Sequence, residues 1–125
     1  MTKVIVVDDD PTNVTLTQML LELDGFTVTA CTNLQQAMQA TQEGADAYVV
    51  DVNLSRGESG LDFLTAVRAG ETPASKDVIF IITSGDHRRK REAKEAGASK
   101  FLLKPYPPEG LSTIINELIA GEQNG

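Results

Sequence analysis

Five short apolar runs, each followed by a stretch of helical pattern, constrain the fold of this chain more than any other feature. Val4 to Val7, Ala47 to Val50 and Val78 to Ile82 are unbroken, with no polar alternation. So short a strand keeps that pattern only when both of its faces are buried, as in a parallel sheet covered by helices on each side. Thr27 to Cys31 mixes polar and apolar residues and reads as an edge strand, and Phe101 to Leu103 is a shorter run. Between the runs, Asp10 is placed to cap a helix with Pro11 in its first turn. Leu16, Leu20 and Leu23 form that helix's expected apolar face, and Gly25 its end. Leu34 to Glu43 is closed by Gly44, and Leu61, Leu64 and Val67 precede Gly70. Asp86 to Ala96 is a charged helix before Gly97, and Leu111, Ile114, Ile115 and Leu118 make a last stripe stopped by Gly121. Strand then helix, five times over, predicts an α/β, doubly wound, five-stranded parallel sheet with five helices. Residues 1–121 form one expected domain and 122–125 a short polar tail.

Other classes of protein are excluded by composition. A chain of 125 residues is one domain of ordinary size. Its longest apolar runs are a handful of residues, whereas a membrane span needs roughly 20, so no membrane contact is expected. The first apolar stretch stops at three aspartates and is no secretory signal. The single cysteine, Cys31, has no partner for an internal disulfide, and a cytoplasmic location is expected. A net charge of −7 argues against nonspecific nucleic-acid binding.

In open α/β sheets, ligands bind beyond the carboxyl ends of the strands. Those ends carry Asp8, Asp9 and Asp10 after the first run, Asp51 after the third, Thr83 and Ser84 after the fourth, and Lys104 with Pro105 after the fifth. Asp10 is assigned to helix capping. Asp8, Asp9 and Asp51 within about 5 Å of one another would repel by roughly 3 kcal/mol per pair at an effective dielectric near 20. Lys104 supplies one compensating charge. A hard divalent cation with oxygen ligands supplies two more, and Mg²⁺ fits best because it takes few carboxylates and accepts phosphate oxygens. A carboxylate beside such a cation, a hydroxyl and a lysine is a constellation for phosphoryl transfer, with an Asp able to act as covalent nucleophile.

The same residues resemble the response-regulator receiver (CheY-like) family of two-component signalling systems. The likeness rests on Val6-Val7-Asp8-Asp9-Asp10-Pro11, Val49-Val50-Asp51-Val52-Asn53-Leu54, Ile81-Ile82-Thr83-Ser84-Gly85 and Lys100-Phe101-Leu102-Leu103-Lys104-Pro105. It runs from Lys3 to about Ala120. The resemblance implies a flavodoxin-like sheet of strand order 2-1-3-4-5. It implies Asp51 as phospho-acceptor from a sensor histidine kinase or histidine phosphotransfer protein, and Mg²⁺ held by Asp8, Asp9, Asp51 and the Asn53 backbone carbonyl. Thr83 would bind a phosphoryl oxygen, Lys104 the acyl phosphate, and the Lys104–Pro105 bond would be cis. Phe101 matches the aromatic switch position, moving with Thr83 to alter a downstream protein's binding at the face of the fourth helix, fifth strand and fifth helix. The chain would then catalyse only its own aspartyl phosphorylation and dephosphorylation.

Three features depart from that pattern or compete with it. Leu54-Ser55 stands where the family often has Met-Pro, and the loop Ser55 to Gly60 is one residue longer than the common form. Asp8-Asp9-Asp10-Pro11-Thr12 also fits the D-x-D-x-T pattern of haloacid-dehalogenase-like phosphatases, but the acidic pair those enzymes need late in the chain does not follow Lys104. Arg88, Arg89, Lys90, Arg91 and Lys94 place five of the 11 basic residues inside seven positions. With Glu92 and Glu95 between them they read as a solvated helix face. No helix-turn-helix follows the fifth helix, so no direct contact with nucleic acid is expected.

Overall fold

A computed structural model of the chain describes residues 2–124, without the side chains of Pro108 and of residues 122–124. Five strands, β1 (Lys3–Val7), β2 (Thr27–Cys31), β3 (Ala47–Asp51), β4 (Ile79–Ser84) and β5 (Lys100–Leu103), alternate with α1 (Pro11–Leu23), α2 (Leu34–Thr41), α3 (Gly60–Arg68), α4 (Lys90–Ala96) and α5 (Leu111–Asn124). The strands form one sheet in the order β2-β1-β3-β4-β5, and every pair is parallel. This is the flavodoxin-like order, with the mixed strand β2 at an edge.

Alternate residues of a strand face opposite sides of the sheet, and each side here has its own core. Ile5, Val7, Tyr48, Val50, Phe80 and Ile82 pack with Ala37, Leu61, Leu64, Val67 and Ala93 from α2, α3 and α4. Val4, Val6, Val49, Ile79 and Ile81 pack with Val14, Leu21, Leu111 and Ile115 from α1 and α5. Two buried faces explain the unbroken apolar runs, each large side chain contributing roughly 1.5–3 kcal/mol on burial. Tyr48, Phe63 and Phe80 form an aromatic knot with ring centroids 5.1–5.7 Å apart. The buried Tyr48 hydroxyl lies 2.7 Å from Thr41 Oγ1, which in turn donates to the Ala37 carbonyl, so the phenol is not left unsatisfied.

Three local expectations differ from the structure. The buried face of α1 is Val14 and Leu21, while Leu16 and Leu23 are 47% and 81% exposed. The inward side of that helix instead carries the half-buried Thr17 and Gln18, and Gln18 Nε2 donates to the Val28 carbonyl at 3.4 Å. The segment Asp86 to Ala96 is not one helix: Asp86 caps a 3-10 turn, His87–Arg89, that leads into α4. Ala93 is the buried residue of α4, with the half-buried Ala96 packed against the same core, and Gly97 ends the helix at φ 101°. Gly121 does not stop α5, which continues to Asn124. It is absent from the glycines with positive φ, so the left-handed conformation that would end the helix is not used. The expected tail 122–125 is therefore helical through residue 124, and its last residue lies outside the described residues.

Candidate functional site

Asp8 leaves β1 with its N–H bonded to the Cys31 carbonyl, and its Oδ1 accepts the Asp10 N–H at 3.0 Å. Asp10 in turn caps α1, accepting from the N–H groups of Thr12 and Asn13. This local turn fixes the Asp8 carboxylate and frees Oδ2 to face Lys104. Asp51 ends β3, in register with Thr83 on β4, and the Val52 N–H binds the Thr83 carbonyl at 2.9 Å. The next helix begins close behind: a Cβ at Gly60 would run into the Asp51 backbone and stand 2.8 Å from Val50 Cγ1. Only glycine permits α3 to start so near the strand end.

Lys104 follows β5, its N–H bonded to the Ser84 carbonyl. Its Nζ donates to Asp8 Oδ2 at 2.9 Å and to Asp51 Oδ2 at 2.8 Å. The Lys104–Pro105 peptide bond is cis. Asp8 and Thr83 are buried and Asp9 is exposed at the mouth. Asn53 sits two residues past Asp51, with its N–H 3.4 Å from Asp51 Oδ1. The Ser84 hydroxyl accepts the Asp86 N–H at 3.0 Å and so belongs to the following turn. Phe101 is half-buried against the core cluster that includes Ala93.

Carboxylate oxygens of Asp8, Asp9 and Asp51 lie within 4.8 Å of one another. The electrostatics follow from that crowding. Burial pushes the Asp51 carboxyl above its usual range, and the Lys104 hydrogen bond and charge pull it partway back. Burial lowers Lys104, but its hydrogen bonds to Asp51 and Asp8 outweigh this, so its affinity for a proton is raised and it is an ammonium at neutral pH. One ammonium against three carboxylates leaves the pocket negative. The donors are all hard oxygens, and Asp9 opens the cluster to solvent, which suits a small divalent cation.

Sequence reasoning missed two side chains beside this site. The loop after β3 makes a 3-10 turn, Ser55–Gly57, with Arg56 at φ 62°. From that turn the Ser55 hydroxyl donates to Asp9 Oδ2 at 3.3 Å. Glu58 Oε1 accepts the Leu34 N–H at the start of α2. The loop Ser55 to Gly60, read from the resemblance as longer than the common form, was the available signal, but its conformation was not legible. On the other side, a cleft of about 480 Å³ runs from Asp8 and Lys104 past Leu16 and Thr17 to Tyr106. The basic run is largely self-paired: Arg88 meets Asp86 at 2.9 Å, Arg89 meets Glu92 at 2.9 Å and Arg91 meets Glu95 at 3.1 Å.

A family model described as response regulator receiver domain matches residues 4–116. The transcriptional regulatory protein CpxR of Escherichia coli is 30% identical over 120 residues, which cover 95% of this chain and 50% of that protein. The chain thus matches about half the length of this relative. Among solved structures, a response regulator receiver domain protein from Clostridium thermocellum superposes with a TM-score of 0.86 at 26% identity, covering 98% of both chains. The chemotaxis protein CheY4 of Vibrio cholerae superposes with a TM-score of 0.83 at 26% identity, covering 94% of this chain and 98% of that one. Among the described residues, no helix is long and apolar enough to cross a membrane.

Proposed function

The chain belongs to the response regulator receiver domain family, a signalling domain of two-component phosphorelays, and on that premise we propose that Asp51 is its phospho-acceptor. The observation that carries the reading is the ammonium of Lys104 held between Asp8 and Asp51 beside a third carboxylate. A receiver domain over residues 1–121 would take the phosphoryl group from a sensor histidine kinase or a histidine phosphotransfer protein in the cytoplasm.

The chemistry is an in-line displacement. An Asp51 carboxylate oxygen forms a bond to phosphorus while the bond from phosphorus to the donor's imidazole nitrogen breaks, and the nitrogen keeps the electron pair. Lys104 neutralises a phosphoryl oxygen, and the Thr83 hydroxyl donates to another. Asp8, Asp9, Asp51 and the Asn53 carbonyl would hold Mg²⁺, whose role is to offset charge on the transferring group. In the reverse half of the cycle, water attacks phosphorus, the phosphorus–oxygen bond breaks, and Asp51 returns as a carboxylate with release of inorganic phosphate. Both steps act on the chain itself, so no outside metabolite is turned over.

Phosphorylation adds negative charge and acceptor oxygens next to Thr83. Drawing Thr83 and its loop inward would move Phe101 and alter the surface of α4, β5 and α5, where a downstream protein would bind. The paired arginines of the 3-10 turn and α4 fit that protein contact better than a nucleic-acid one.

The test is incubation with Mg²⁺ and a small-molecule phosphodonor, followed by intact mass. The expected result is an adduct of about 80 Da, one phosphoryl group, that is absent in Asp51→Asn. Persistence of the adduct in that variant, or no adduct with the wild-type chain, would refute the assignment.

A further inference from the structure

The loop after β3 is closed on itself before it reaches the acidic cluster. Leu54 N–H binds the Glu58 carbonyl at 3.1 Å, Glu58 N–H binds the Ser55 carbonyl at 3.3 Å, and Asn53 bridges Ser59. Glu58 adds a tether to α2 through the Leu34 N–H at 3.2 Å. Arg56 at φ 62° and Gly57 at φ 74° make the reversal. A non-glycine residue in that region costs of order 1 kcal/mol, so the surrounding bonds hold the turn in this form. The outcome is that Ser55, at the start of the turn, points its hydroxyl at Asp9 Oδ2, 3.3 Å away.

Asp9 is the exposed member of the three carboxylates, and the ion pairs of Lys104 go to the other two, Asp8 and Asp51. An exposed Asp side chain turns freely about its last torsion and loses that freedom on binding a cation. Each carboxylate oxygen offers two lone pairs. A hydroxyl on Oδ2 therefore leaves Oδ1, and one further site on Oδ2, available to a cation. Hydrogen bonds from outside the ligand set commonly orient metal-binding carboxylates in this manner. We infer that Ser55 is a positioning residue for Asp9: its hydroxyl fixes the rotation of the carboxylate and thereby tightens divalent-cation binding. The inference rests on the reading of Asp8, Asp9 and Asp51 as a Mg²⁺ site.

The experiment is isothermal titration of MgCl₂ into the wild-type chain, Ser55→Ala and Ser55→Thr, with thermal unfolding of each in EDTA. Ser55→Ala should bind Mg²⁺ about tenfold more weakly, at the low end of what loss of such a partner costs. Ser55→Thr, which keeps the hydroxyl, should bind like wild type, and all three should unfold at the same temperature without metal. Equal affinity in Ser55→Ala, or equal loss in Ser55→Thr, would overturn the inference. So would a lowered unfolding temperature for Ser55→Ala in EDTA, because the hydroxyl would then be supporting the loop. Absence of Mg²⁺ binding by the wild-type chain would instead remove the metal site itself, and the inference with it.

Discussion

Lys104 has to satisfy two carboxylates at once, and the balance at this residue sets how the metal-free site responds to pH. Its Nζ bonds to Asp8 and Asp51 at 2.9 and 2.8 Å, with all three side chains at least three-quarters buried. Lys104→Met takes away the bond and charge that hold the raised Asp51 carboxyl down. Asp51 in the folded variant then keeps its proton to higher pH than in the unfolded chain. Its contribution to stability is present below the unfolded carboxyl value and lost as pH rises through the folded one. Lys104→Met should therefore be about 2 kcal/mol less stable than wild type at pH 7, between the values for exposed and buried pairs, with a smaller deficit towards pH 4. Urea denaturation in EDTA at both pH values measures this, and a deficit independent of pH would contradict it. Cys31 shows the opposite case of a residue with chemistry available but none in use. It is 1% exposed, and burial pushes its thiol up to about 11. At pH 8 the thiolate is then about one part in a thousand, and iodoacetamide should modify the native chain negligibly but the urea-unfolded chain readily. Both lysine and cysteine were visible as residue types, and the carboxylate cluster was legible from strand ends alone. The Ser55–Asp9 and Glu58–Leu34 contacts were not, because they depend on a turn whose Arg56 has a left-handed backbone that few sequence cues announce.

Among the elements, the strands were the most legible, because burial on both faces removes polar residues from them altogether. Helix α1 shows why helices were less so. Its sequence contains two overlapping apolar spacings, Leu16-Leu20-Leu23 and Val14-Leu21, and the longer series turns Leu16 and Leu23 to solvent and leaves Leu20 half-buried. The inward face is narrowed by Thr17 and Gln18, whose polar groups lie toward Tyr106 and the edge strand β2. Sequence periodicity counts apolar residues and cannot see a polar side chain that is satisfied inside. The distinction is measurable. Leu21→Ala removes a side chain only 1% exposed and should cost about 2–5 kcal/mol by leaving a cavity. Leu23→Lys, at a position 81% exposed, should change stability by less than about 0.5 kcal/mol. Chemical denaturation of the two variants decides between the faces, and a large loss from Leu23→Lys would restore the periodicity reading. Helix α4 failed for the reverse reason: it sets only the small side chains of Ala93 and Ala96 against the core, and no large apolar residue marked where the 3-10 turn gives way to helix.

At the scale of the whole molecule, the topology makes the site and the charge balance leaves it incomplete. Parallel strands place Asp8, Asp51, Thr83 and Lys104 at one edge of the sheet, although they are as far apart as 96 positions in the chain. That convergence was legible once the strand–helix alternation was, since every carboxyl end of a parallel sheet lies on the same side. The net charge of −7 was legible too, but not its distribution. Three of the acids cluster with carboxylate oxygens within 4.8 Å of one another, two of them bonded to the single Lys104, while three arginines elsewhere are neutralised by neighbours on the surface. The fold thus carries a local repulsion that solvent and Lys104 only partly offset. A ligand that binds the folded chain alone must relieve it and raise stability by RT ln(1 + [L]/Kd). At a Mg²⁺ concentration ten times its dissociation constant, the gain is about 1.4 kcal/mol, which for a domain of this size raises the unfolding temperature by roughly 5 °C. General screening by salt is spread over all surface charges and predicts no preference between cations at equal ionic strength. The discriminating measurement compares thermal unfolding in MgCl₂ and in KCl of matched ionic strength, for the wild-type chain and Asp9→Asn. The Mg²⁺-specific increment should appear in the wild type, shrink in Asp9→Asn and vanish on adding EDTA. An increment equal in KCl would mean that the acidic pocket is only a charged part of the surface.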